Sequence, residues 1–230
     1  MADALRVIPA VSLRGGDVVV VNNHSYEPVE DAQGRAFALD EFAQVFLKEF
    51  DAVLVFDIDG IEGGRPQFDE AARLEGSPLE VWWDGGVRDH DDVIGILTSG
   101  VHKALVSTRS LAAAGEISKA VELSDSVVFE AVVREGRVVA SSPDFRGATV
   151  ARAASLAAAE GAEEVLVLDA SRPLGAPIDW APLAGLPGSL RALYIGGGID
   201  LETARRVKAP AGLPYRGAVV DLISVLTPYV

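Results

Sequence analysis

The 230-residue chain has no cysteine, one methionine, three histidines and four lysines. The missing cysteines exclude disulfides, thiolate metal sites and cysteine nucleophiles. His24, His90 and His102 are far apart and form no HxxxH pair, so no histidine-rich metal centre is expected, nor is any cofactor. Lys48, Lys119 and Lys208 fall in helical stretches, and Lys103 opens an apolar run. Schiff-base chemistry in an α/β barrel needs a lysine where a strand ends, and none is there. Basic residues are scarce overall: 20 Lys and Arg stand against 34 Asp and Glu, giving a net charge of −14. That balance argues against nucleic acid or an anionic membrane as a partner. No apolar run approaches the roughly 18 residues of a membrane span. The first residues, MADALRVIPA, lack a basic region followed by an apolar core, so the expected location is the cytoplasm.

What the chain does contain is a short apolar run, a Gly- or Asp-bearing turn and a helical stretch, many times over. Strands are expected at Arg6–Leu13, Ala52–Asp57, Leu79–Trp83, Lys103–Ser107, Ser126–Val132, Glu164–Asp169, Arg191–Ile195 and Gly217–Asp221. They read as continuous apolar runs, as strands buried on both faces do. Helix starts are expected after Asp40, Asp89, Thr149 and Asp200, and stops at Gly100 and Gly161. The helices after the sixth and eighth strands look short. Eight strand–helix alternations imply a (βα)8 TIM barrel, a fold of about 250 residues, in one domain. Long loops are expected over residues 22–38 and 60–68.

The chain also resembles itself. LRGGDVVV from Leu13 matches VREGRVVA from Val133, WDGGVRD from Trp83 matches IGGGIDL from Ile195, and ALVST from Ala104 matches AVVDL from Ala218. The common order implies two half-barrels, about 1–123 and 124–230.

A barrel carries its site at the C-terminal ends of its strands. The expected occupants there are Ser12, Asp57, Asp59, Asp84, Ser107, Thr108, Glu130, Val132, Asp169 and Asp221, with glycine turns at Gly85–Gly86 and Gly196–Gly198. Glycine turns that open helices expose N–H groups to a phosphate. Gly85, Gly86, Ser107 and Thr108 form one candidate phosphate site, and Gly196, Gly197 and Gly198 a second. The same glycines would equally serve a tight turn. Asp57 and Asp169 are the candidate catalytic acids, since carboxylates in unlike environments can divide acid and base roles. Each of the strand-end carboxylates Asp57, Asp59, Asp84, Glu130, Asp169 and Asp221 could instead cap a turn or pair with Arg65, Arg88, Arg109 or Arg172. At least three of Asp57, Asp59, Asp84, Asp169 and Asp221 are expected around one cavity. His24, in the long first loop, is the histidine able to reach such a site.

The motifs VIPAVSLRGGDVV, VFDIDG, DGGVRDHDDVIGILTSGVHKALVST, GAEEVLVLD, GGGID and GAVVD, in that order, resemble the histidine-biosynthesis isomerase and cyclase barrels over essentially the whole chain. The resemblance implies two phosphate sites and a phosphoribosyl imidazole-carboxamide type of substrate. It also implies a catalytic Asp at the end of the first strand and another on the fifth. Here those positions are Ser12 and Val132, and the internal repeat pairs the same two residues. The family's glycines ending strands four and eight are Ser107 and Asp221, and an aspartate in a phosphate cradle repels the dianion. Three readings remain open. One is a diverged, isomerase-like enzyme acting on a phosphorylated small molecule with relocated acids Asp57 and Asp169. A second is a non-catalytic barrel binding a phosphorylated ligand or a partner protein. A third is a true ribotide isomerase with its chemistry rebuilt.

Overall fold

A computed structural model of the chain describes residues 5–22 and 25–226. In chain order the strands are β1 (Arg6–Arg14), β2 (Asp17–Asn22), β3 (Ser25–Pro28), β4 (Ala52–Asp57), β5 (Glu80–Asp84), β6 (Lys103–Ser107), β7 (Val127–Arg134), β8 (Arg137–Val138), β9 (Glu164–Asp169), β10 (Ala192–Gly196) and β11 (Tyr215–Asp221). The helices are α1 (Leu39–Phe46), α2 (Ile58–Gly63), α3 (Phe68–Ala72), α4 (His90–Thr98), α5 (Gly115–Leu123), α6 (Val150–Ala159), α7 (Leu201–Arg206) and α8 (Leu222–Leu226), with a 3₁₀ turn at Ala181–Leu183.

β1, β4, β5, β6, β7, β9, β10 and β11 pair in parallel, and β11 returns to β1 in the register Arg6↔Gly217 to Ala10↔Asp221. This is a closed eight-stranded TIM barrel. All eight expected strands are present, and their ends differ for local reasons. β1 and β7 run on to Arg14 and Arg134 because each continues into an antiparallel hairpin. The hairpin turns are Gly15–Gly16, with φ of 59° and 90°, and Glu135–Gly136, with φ of 52° and 74°. These are the segments that match in the sequence, so the likeness reflects one turn geometry used twice.

The long segments are less loop-like than expected. β3 adds a third antiparallel strand beside β2, and residues 58–63 and 68–72 are helical. Asp40 does not cap α1. Ala38 stands at the N-cap without a side-chain bond, and Asp40 lies inside the first turn. Asp89, Thr149 and Asp200 do cap α4, α6 and α7 by accepting first-turn N–H bonds. Among the described residues no helix is long and apolar enough to cross a membrane.

Strand alternation divides the interior into two layers. Ile8, Ala10, Leu54, Trp82, Leu105, Val128, Leu166, Tyr194 and Val219 fill the lumen. The intervening residues, including Val11, Val55, Trp83, Val106, Phe129 and Val167, pack between strands and helices. The lumen floor is ionic: Arg6 pairs with Glu80 at 2.8 Å and Lys103 with Glu164 at 2.5 Å. Both cations lie near the Trp82 ring, at 5.9 and 4.8 Å. Lys103 therefore sits at the opposite end from the mouth.

Candidate functional site: the barrel mouth

The same alternation decides which strand-end residues face the lumen. Ser12, Asp84, Ser107, Glu130, Val132, Gly196 and Asp221 have the parity of the lumen residues, whereas Asp57 and Asp169 follow Val55 and Val167 on the helix-facing side. Asp57 is fully buried and caps α2. Its carboxylate accepts from Gly60 N–H at 3.0 Å, Gln67 N–H at 2.6 Å and Gln67 Nε2 at 3.0 Å. Asp169 accepts from the N–H and hydroxyl of Ser171. Asp59 accepts from Gly15 N–H at 2.6 Å, tying α2 to the first hairpin. The common carboxylate group expected from the sequence does not form, because these acids point to different layers and each holds its own partners. His24 lies outside the described residues.

The glycine turns need glycine for packing. A Cβ on Gly86 would stand 2.5 Å from the Gly60 carbonyl, and one on Gly197 would stand 2.2 Å from that of Asp169. Gly86 and Gly197 also have φ of 75° and 80°, where a side chain is strained. Each turn carries an internal anion as well. Gly86 N–H donates to Asp84 Oδ1 at 3.0 Å, and Gly198 N–H donates to the Asp221 carboxylate. In the repeat, Asp84 stands opposite Gly196 and Asp221 opposite Ser107, so each half has one aspartate in its cradle, on alternate strands. Burial raises the Asp221 pKa despite the Gly198 bond and the nearby Arg172 charge.

Guanidinium groups meet both turns. Arg88 is exposed, donates to the Gly86 carbonyl, and has no carboxylate ion-pair partner among the described residues. Arg172 donates to the carbonyls of Gly197 and Gly196, both at 2.7 Å. Burial lowers the Arg172 pKa, and the charges of Asp169 and Asp221 counter that only in part.

At the centre, Arg109 turns inward from the end of β6. Its Nη2 lies 2.6 Å from Asp84 and 3.3 Å from Glu130, and its guanidinium stacks 5.3 Å from the Phe56 ring centre. Ser107 Oγ donates to Glu130 Oε2. Asp84 and Glu130 are fully buried, and the Arg109 side chain is 27% exposed. Burial is the largest influence on Glu130 and raises its pKa. The Arg109 charge pulls it down, the Asp84 charge pushes it up again, and the outcome is about 7. Arg109 is held above its ordinary value, because these two carboxylates outweigh the effect of its burial. Thr108 is committed to the backbone: its N–H donates to the Glu130 carbonyl, and its hydroxyl accepts from Val132 N–H. The sequence offered Glu130 and Asp84 as strand-end acids and Arg109 among four arginines that could pair with them, and the structure makes Arg109 the common partner of both.

Residues 6–173 match the family model described as histidine biosynthesis protein. The chain belongs to that family. The family match ends beyond Arg172, before β10 and β11, so the Asp221 cradle lies outside the matched stretch. Among curated relatives, a phosphoribosyl imidazole-4-carboxamide isomerase of Natronomonas pharaonis is 31% identical over 182 residues, covering 74% of this chain and 71% of the relative. One of the same name from Synechococcus sp. is 28% identical, covering 96% of this chain and 81% of the relative. Within the family barrel, the lumen-facing tops of β1 and β7 here are a serine and a buried valine.

Proposed function

We propose that this histidine-biosynthesis-family barrel binds a small phosphorylated molecule at its mouth and does not isomerise a ribotide through the family's two acid positions. The observation that carries this reading is the make-up of the lumen rim. Ser12 and Val132 stand at the rim where the resemblance implies acids, while Arg88 and Arg172 lie on the two glycine turns. Neither a valine nor an unassisted serine exchanges protons near neutrality. Guanidinium groups remain good phosphate partners whatever the turn N–H groups do. With Asp84 and Asp221 on the turn N–H groups, recognition rests on arginine side chains and suits one phosphate better than two. Arg88 is the stronger candidate, because Arg172 shares its surroundings with Asp169 and Asp221.

Relocated chemistry at Asp57 and Asp169 is the competing version. It requires Asp57 to release the three bonds that hold Gly60 and Gln67. Proton transfer by positioned groups supplies roughly 10²–10⁴-fold each. Losing both positions therefore costs on the order of 10⁴–10⁸-fold if the effects multiply, and coupled residues often fall short of that. The test is complementation of an isomerase-deficient histidine auxotroph, with a turnover assay on purified protein. No growth and no turnover are expected, together with phosphate binding that Arg88→Ala weakens. Robust turnover abolished by Asp57→Asn or Asp169→Asn would overturn the reading in favour of relocated acids.

A further inference from the structure

Three buried groups at the top of the lumen do not balance in charge. Asp84 and Glu130 are fully buried carboxylates, and both reach Arg109 through the same nitrogen, Nη2. With every group ionised, the cluster holds two negative charges against one positive. A buried, uncompensated charge is expensive. The hydrogen bonds do not balance either. Glu130 Oε2 accepts from Ser107 and Arg109, while Glu130 Oε1 is sealed from solvent and has no donor. The Asp84 and Glu130 carboxyls are within hydrogen-bonding reach of each other, yet two ionised carboxylates only accept and form no bond.

We propose that Glu130 carries a proton on Oε1, directed at Asp84, and that this proton is a pH switch for the charge beneath the Gly85–Gly86 turn. One hydrogen answers both imbalances and needs no cavity. The neutral carboxyl donates from Oε1, keeps Oε2 as an acceptor and brings the cluster to zero charge. Asp84 has lone pairs to receive it, since Oδ1 takes one bond from Gly86 N–H and Oδ2 one from Arg109. The other neighbours leave Asp84 as the receiver: on β6 Glu130 meets Ser107, its register partner on β9 is Leu166, and Tyr26 on β3 feels the Arg109 charge from the rim. Burial and Asp84 hold the proton on and Arg109 pulls it off, which sets its loss near neutrality. The switch reaches the mouth through one turn, because Asp84 Oδ1 holds Gly86 N–H and the Gly86 carbonyl holds Arg88. When Glu130 ionises, a negative charge appears beneath the arginine that binds the anion. Binding and protonation are then linked in both directions. The link to an anion rests on the function proposed above. The proton rests on the buried cluster alone.

Full-length protein labelled with ¹³C at its glutamate carboxyls reads the proton directly from pH 5 to 9, with Glu130→Gln assigning the signal. The Glu130 signal should titrate near neutrality, and Asp84→Asn should move that midpoint down by about one pH unit or more. Sulfate, a dianion throughout this range, is the anion probe. The ratio of its affinity at pH 6 to that at pH 8 should be at least about threefold greater in the wild type than in Glu130→Gln. The contribution of His90, held by Glu116 two residues from Arg88, is common to both proteins. Saturating sulfate should also raise the Glu130 midpoint, which tests the link on the wild type alone. A Glu130 signal that stays ionised from pH 5 to 9 overturns the proposal, as does a midpoint that Asp84→Asn leaves in place. A titrating Glu130 whose midpoint bound sulfate does not move overturns the switch. A titrating Glu130 with no sulfate bound at either pH upholds the proton and overturns the anion reading of the mouth.

Discussion

Replacing Glu130 with Gln should flatten the dependence of stability on pH between about 5 and 8. The carboxyl has its ordinary value of 4.5 in the unfolded chain and is raised to about 7 in the folded barrel. The folded state therefore binds more protons than the unfolded state across that interval, and stability must fall as pH rises through it. At about 1.4 kcal/mol per pH unit, the difference amounts to about 3 kcal/mol, fully present below pH 4.5 and lost above pH 7. The cause is the burial of Glu130 beside Asp84, which Arg109 offsets incompletely. The acids whose values are lowered by surface partners, such as Glu116 at about 2 and Asp31 below its ordinary range, act at lower pH, while Asp221, raised by burial, adds a slope common to both proteins that the comparison cancels. Urea titrations of both proteins at pH 5, 6, 7 and 8 provide the measurement. The wild type should lose about 2.5 kcal/mol more than the Gln variant from pH 5 to 8, since part of the full difference falls below pH 5. Parallel curves for the two proteins would show that Glu130 is ionised throughout and that Arg109 fully compensates its burial.

Gly86→Ala should cost more than about 2 kcal/mol, since it adds a clash with the Gly60 carbonyl to the strain of φ 75°. Gly136→Ala has a similar φ of 74° but open space around it, so about 1 kcal/mol is expected from the same denaturation series. Asp57→Asn should lower stability by about 1–3 kcal/mol through the weakened α2 cap and leave phosphate binding unchanged in a ³¹P titration; a change in binding with unchanged stability would speak for a role in the site. Arg88→Ala should weaken inorganic phosphate binding at least tenfold in the same titration with little effect on melting temperature, because the side chain is exposed and bonds only the Gly86 carbonyl.

The linear sequence determined the barrel. Eight apolar runs of strand length, separated by helical stretches, leave few other ways to bury both faces of a parallel sheet. It also determined the local stops and starts at Asp89, Thr149, Asp200, Gly100 and Gly161, because capping depends on neighbours within a turn. The correspondence of Ser12 and Val132 was legible for the same reason, since they fall at matching places beside the two hairpins. The direction of each strand-end side chain was less accessible. Asp57 and Asp59 are two residues apart, as are Asp169 and Ser171, and only the register of the closed sheet against its helices fixes what each one meets. Tertiary structure alone brought Arg109 from one loop to Asp84 and Glu130 on two other strands, across sequence separations of 25 and 21 residues. It alone filled the turn N–H groups with Asp84 and Asp221. The physical reason is that caps and strand periodicity arise from short-range geometry, whereas ionisation and hydrogen-bond occupancy at the mouth depend on which charges are buried together, and burial is a property of the closed barrel.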